Sequence, residues 1–174
     1  IIIFTDTSVY SIQFVGPPFT FRVNLINESS GLISPKAAVT APQGIYFMSY
    51  DNFYIYNGSV IKLNCDVLDY VFSDFNSEQA FKINAFTNTK ENEVGWFYPS
   101  ASSSEIDRYV IYNYQDKVWY YGQLSRTAWL DSGVESYPQA TASNSLFQHE
   151  VGFDDDGSPM TGVFIESSDF DIGD

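Results

Sequence analysis

Apolar positions along this chain fall in short runs broken by turn signals, and they seldom recur at helical spacing. The clearest exception is "DVLDYVFSDF", where Leu68, Val71, Phe72 and Phe75 sit at i, i+3, i+4 and i+7. That spacing predicts one or two helical turns over residues 66–75, with Asp66 as the N-terminal cap. Elsewhere Gly16-Pro17-Pro18, Asn57-Gly58, Tyr98-Pro99-Ser100 and Asp156-Gly157 punctuate the runs as turns do. Asn57-Gly58, set between "NFYIY" and "SVIKL", predicts a hairpin with a two-residue loop.

Within the runs, both faces are apolar. In "YVIYNY" one face carries Tyr109 and Ile111, the other Val110, Tyr112 and Tyr114. In "IYFMSY" one face carries Ile45 and Phe47, the other Tyr46, Met48 and Tyr50. A strand with one wet face alternates apolar with polar residues, and these do not. Their sheets are therefore expected to be covered on both sides, and without crossover helices the cover must be other sheets.

A weak internal repeat agrees. "SVYSI", "YIYNGSVIKL" and "VIYNYQDKVWYYGQL" each place an apolar–Tyr pair in a strand, and aligning Tyr10, Tyr56 and Tyr112 gives steps of 46 and 56 residues. The preceding strands, "IIIFTD", "GIYFMSYD" and "EVGWFYPS", recur in step, and "SLFQHEVG" reads as the start of a fourth unit. A period near fifty, built from about four short antiparallel strands, is the signature of a propeller blade. The expectation is an all-β, propeller-like domain of three to four blade units with one short helix. Approximate units are residues 1–40, 41–90, 91–142 and 143–174.

Aromatics make up 18% of the chain, and seven of them crowd into residues 107–129. In stacked blades most of these are inter-blade core, with tyrosine hydroxyls reaching the edges. Tyr112 and Trp119 are expected between adjacent sheets, and Arg126 at a loop or interface.

Charge changes the functional picture. Eight basic residues against 22 acidic ones leave a net charge of −14. Such a surface repels phosphate, so tight duplex binding through Lys and Arg is disfavoured, as is single-strand binding in a basic groove. The nearest approach to a basic cluster, Arg108, Lys117 and Arg126, is spread along an aromatic segment. Cys65 is the single cysteine, which excludes an intrachain disulfide and a cysteine zinc cluster. No apolar run approaches a membrane span. The chain opens without Met on "IIIFTDTSVYS", which lacks a basic region or a signal-peptide core, as a trimmed piece of a longer protein would.

Candidate chemistry is sparse. His149 neighbours Glu150 on a strand, so the two point to opposite faces, and a backbone-bonded, half-buried imidazole is expected. Cys65 has only Lys62 nearby and reads as a small buried hydrophobe. "FDDDGSPM" has three consecutive aspartates instead of the alternating ligands of a calcium loop, and predicts an acidic hairpin turn closing at Asp156-Gly157. Asp169, Asp171 and Asp174 alternate with Phe170 and Ile172 as in an edge strand. No motif marks a nucleophile, a phosphate loop or a carboxylate pair, so no catalytic, metal or cofactor residues are expected.

The ordered strings "TDTSVYSIQFVGPPFTF", "GLISPKAAV", "GIYFMSYDNFYIYNG", "DYVFSDFNSEQAFKINAFTN", "NEVGWFYPS", "DRYVIYNYQDKVWYYGQLSRTAW", "YPQAT", "LFQHEVGFDDDGSP" and "IESSDFDIGD" span nearly the whole chain. In order and spacing they resemble the tail hub, nozzle or packaged-DNA stabilisation proteins of short-tailed bacteriophages, also called tail tubular proteins. The resemblance implies a propeller-containing virion subunit in the phage tail. It would assemble with portal and tail-adaptor proteins as a homo-oligomeric ring around the genome-exit channel. It implies no catalytic residues, no cofactor and no membrane. An acidic wall would let DNA pass without sticking. Two rivals stand beside it. One is a carbohydrate-binding propeller using Trp96, Trp119 and Trp129 as platforms; the other cleaves glycans with a carboxylate pair among the late acidic residues. The three tryptophans and Arg126 are thus the candidate interface or glycan-contacting residues.

Overall fold

The computed structural model describes residues 1–155 and 157–164. It is 47% strand and 9% helix, so the mostly-β expectation holds. Sheet 1 contains β1 (Ile2–Phe4), β2 (Val9–Gly16) and β3 (Thr20–Asn27). Sheet 2 contains β4 (Ala38–Ala41), β5 (Gly44–Met48), β6 (Phe53–Tyr56) and β7 (Val60–Lys62). After a six-residue helix α1 (Leu68–Ser73) and a 3₁₀ turn (Ser77–Lys82) comes sheet 3. It contains β8 (Asn84–Asn88), β9 (Glu93–Tyr98), β10 (Arg108–Asn113) and β11 (Val118–Gln123). Sheet 4 contains β12 (Ala128–Leu130), β13 (Gln139–Ala142) and β14 (Ser145–Gln148), and a two-stranded ribbon follows, β15 (Asp154–Asp155) with β16 (Ser158–Pro159). Among the described residues every strand pair is antiparallel, and within each sheet the spatial order is the chain order.

The sheets stack in series because their strands are apolar on both faces. Tyr46, Met48, Phe53 and Ile55 of sheet 2 pack against Val94, Trp96, Val110 and Tyr112 of sheet 3, with Val71 of α1 closing the same core. The opposite face of sheet 2, through Phe47, Tyr54 and Tyr56, meets Ile2, Phe4, Val9 and Ile26 of sheet 1. The opposite face of sheet 3, through Phe86, Phe97, Tyr109 and Ile111, meets Trp129 of sheet 4. Sheets 2 and 3 are thus covered on both sides, as the lack of polar alternation demands. The first strands gather along one edge: β4 lies against β8, and β8 against β12. Lys36, just before β4, pairs with Asn84 in a parallel bridge. Among the described residues the series does not close on itself in a ring.

The repeat marks the right strands but not the unit boundaries. "IIIFTD", "GIYFMSYD" and "EVGWFYPS" supply β1, β5 and β9, so Tyr10, Tyr56 and Tyr112 fall on the equivalent strands β2, β6 and β10. Sheets 2 and 3 each begin one strand earlier, at β4 and β8, so β8 belongs with sheet 3 although it precedes residue 91. "SLFQHEVG" does not open a unit, because it supplies β14, the third strand of sheet 4.

Two local expectations change. Tyr56 pairs with Val60, which leaves a three-residue loop, Asn57-Gly58-Ser59; Gly58 takes φ +115°, where a side chain would be strained. The cap position of α1 is Val67, with no side-chain hydrogen bond, so Asp66 does not cap it. Burial of Val71 and the packing of Leu68 and Phe72 on the main core hold this short helix instead. The acidic segment does pair as a hairpin, with Asp155 opposite Ser158, while Asp156 of the expected closing turn lies outside the described residues. Asp169, Asp171 and Asp174 lie outside the described residues. Among the described residues no helix is long and apolar enough to cross a membrane.

Candidate functional site

The three tryptophans are placed by the sheets they join. Trp96 on β9 is fully buried, and its indole N–H donates to the Ala37 carbonyl at 2.9 Å. Trp119 on β11 is half-buried; it donates to the Asn64 carbonyl at 2.7 Å and lies 4.9 Å from Phe53 and 4.6 Å from Tyr112 between ring centroids. Trp129 on β12 is half-buried, donates to the Thr87 carbonyl at 2.7 Å and rests on Phe86 at 4.8 Å. Each indole therefore spends its N–H on another segment of the chain and its ring on aromatic neighbours. Tyr112, 8% exposed, lies between sheets 2 and 3 as the sequence suggests.

Arg126 occupies the loop between β11 and β12, yet it is only 5% exposed. Its guanidinium lies 4.2 Å over the Phe147 ring. Nε donates to His149 Nε2 at 2.9 Å, one terminal nitrogen to Asp155 Oδ1 at 2.9 Å, and the other to the Ser125 carbonyl at 2.8 Å. His149 in turn lies against Trp129 at 4.8 Å. Burial, reinforced by the Arg126 charge, pulls the His149 pKa down to about 4, so the imidazole is neutral and its acceptor nitrogen belongs to the arginine. This corrects the expectation of a histidine side chain bonded to backbone; the backbone N–H of His149, not the ring, bonds to Pro138. The cluster has no free base and no nucleophile. What it does is tie the loop before sheet 4 to the end of β14 and to the β15–β16 ribbon. Its partners are 23 and 29 residues from Arg126, too far apart for a sequence motif to reveal.

A second polar group is Glu93, at the start of β9. It accepts from Asn88 Nδ2 at 3.2 Å and from the Tyr120 hydroxyl. Burial pushes its pKa up to about 7; the Asn88 bond opposes this, and Glu150 and Glu91 add to it. A third is an acidic cleft of about 260 Å³ at the ends of sheets 1 and 2, lined by Asp6, Glu28 and Asp51 among others. The Tyr54 hydroxyl donates to both Asp51 oxygens, at 3.3 and 3.2 Å. Among the described residues no group of three His, Cys, Asp or Glu side chains has the arrangement to hold a metal ion. Burial raises the Cys65 thiol pKa to about 11, which leaves it an inert hydrophobe.

Three of the eight basic side chains are paired with carboxylates. Arg108 pairs with Asp74 at 3.3 Å and Asp107 at 3.0 Å, Lys82 with Glu105 at 2.7 Å, and Arg126 with Asp155 at 2.9 Å. Of the trio Arg108, Lys117 and Arg126, only Lys117 has no carboxylate partner among the described residues. No protein-family model matches the chain, and no curated protein is significantly similar to it.

Proposed function

We propose that this chain is a non-catalytic structural subunit of a bacteriophage virion, a β-propeller segment of a tail nozzle or hub around the genome-exit channel. The observation that carries the reading is the serial stack of antiparallel meander sheets with β4, β8 and β12 side by side along one edge. Blades arranged around an axis place their first strands innermost and running alongside one another, and the parallel bridge at Asn84 fits that arrangement. The family resemblance of the ordered strings supplies the biological setting. The acidic balance and the ion-paired arginines supply a wall that does not hold phosphate.

The sugar-platform reading draws on the same tryptophans and asks for open, coplanar rings. Here the rings rest on Phe53, Tyr112 and Phe86, so no observation favours that reading over assembly. The test is peptide mass spectrometry of purified short-tailed virions that encode this sequence, with a map of the intact particle. The expected result is several copies per particle, arranged coaxially with the portal. Its absence from finished particles would reject the proposal.

A further inference from the structure

The repeat leaves one sheet face without its cover. Tyr56 and Tyr112 sit on equivalent strands and point toward the sheet before their own: Tyr56 into the core shared with sheet 1, Tyr112 into the core shared with sheet 2. Tyr10 is the equivalent residue of sheet 1. Its cross-strand partners are Ile3 and Leu25, on the side away from Phe4, Val9 and Ile26, which contact sheet 2. Among the described residues, the side that a preceding sheet covers in sheets 2 and 3 is open in sheet 1. It is apolar, with Phe14 71%, Val23 62%, Phe21 57% and Leu25 46% exposed, and none of the residues facing that way on β1–β3 is charged. A contiguous apolar face of this kind marks a contact surface.

The far end of the stack offers the matching side. The onward face of sheet 4 carries Ala128, Leu130, Thr141 and Leu146 with Gln139 and Gln148, again without a charge. Leu130 is 61% and Leu146 65% exposed. In a chain of net charge −14, copies repel over most of their surface, so charge-free sheet faces are where they can meet.

We propose that the onward face of sheet 4 in one copy packs on the open face of sheet 1 in the next. The contact continues the face-to-face stacking across the subunit boundary and keeps its direction. It is head to tail, so it closes a ring if its rotation divides the circle and otherwise grows a filament. This deepens the assembly reading above and rests on it for the ring.

The test is sedimentation velocity of the whole chain from low to high micromolar concentration, with Val23→Asp and Leu146→Asp as variants. Each charge blocks one face only. Both variants are expected to be monomeric, with the circular dichroism of the parent, which self-associates, and with the melting of the parent at concentrations where it is dissociated. An equimolar mixture of the two is expected to form a heterodimer and stop there, because each brings the face the other lacks. Val23→Thr, which keeps a β-branched residue at the site, is expected to weaken association in part and covers the case in which the aspartate variant misfolds. Assembly undiminished by either aspartate would keep the assembly reading and reject this contact. Loss in Val23→Asp alone would show sheet 1 pairing with itself, and a parent chain monomeric throughout would also overturn the contact.

Discussion

Trp96 shows how much of this fold rests on single side chains. Its indole is fully buried, lies 4.7 Å from Phe53 between ring centroids, and satisfies its one donor on Ala37 across the sheet interface. Trp96→Ala is expected to destabilise by about 3–5 kcal/mol, the range for emptying a large aromatic site, as read from urea unfolding. Two titrating residues act in opposite directions with pH. The His149 pKa lies near 4 folded against 6.5 for the free group, so the unfolded chain binds more protons between those values. Its contribution is complete above about 6.5 and is lost as pH falls toward 4. Glu93 lies near 7 folded against 4.5 free, so the folded chain binds more protons in its window. Keeping it buried becomes unfavourable as pH rises from 4.5 to 7, and the cost is complete above 7. Glu93→Gln retains an acceptor for Tyr120 without the charge. It is expected to raise the urea midpoint above pH 7 relative to the parent, and to leave it near the parent value at pH 4.5. A variant less stable than the parent at pH 8 would reject this assignment.

At the level of elements, the two-sided strands were legible because β5 and β10 lack polar alternation, and a sheet with no wet face has to be sandwiched. The first strands were not legible. "AVTA" of β4 and "NAFTN" of β8 are short and small or polar, and they become strands because β5 and β9 offer them hydrogen-bonding edges. The Asn57-Gly58 signal located a turn correctly but not its length, because Tyr56 and Val60, rather than Tyr56 and Ser59, come into register. Of the site residues, the tryptophans were named as interface or glycan-contacting candidates and only Trp119 was expected between sheets; the full burial of Trp96 depends on Ala37 and Phe53 arriving from another sheet. Arg126 was placed in a loop, but its burial was hidden, since that depends on His149 and Asp155 arriving from distant segments. Gly95 also has a role that only packing shows. A Cβ there would stand 2.4 Å from the Phe86 ring and 2.9 Å from Ile111, both on the face toward sheet 4. Phe86 lies across β9 because residue 95 has no side chain. Gly95→Ala is expected to cost about 1–3 kcal/mol by overpacking. Phe86→Leu in the same chain should recover part of that loss, measured as a double-mutant cycle; full additivity would mean that the two side chains do not compete for the space.

For the whole molecule, the proposed role would set an acidic stack of sheets beside DNA. Its net charge is −14, and Arg108, Arg126 and Lys82 already face carboxylates. A phosphate approaching either arginine would have to displace Asp74 and Asp107, or Asp155 in a site where the guanidinium is 5% exposed. The loss of a charge-assisted bond would offset the gain, so these residues release few counterions on contact with a duplex. Association with a short duplex, followed by fluorescence anisotropy of the chain and of its assembled form, is therefore expected to be weak and to change little between low and moderate salt. Reversing the ion pairs supplies the internal check. Asp107→Asn with Asp74→Asn frees Arg108, and duplex affinity should then rise and acquire a steeper salt dependence, without reaching that of a dedicated DNA-binding surface. Submicromolar binding by the parent chain that falls steeply with salt would sink the non-adhesive wall. It would mean that Arg22, Lys36, Lys62, Lys90 and Lys117, the basic residues outside these pairs, converge on one surface in the assembly.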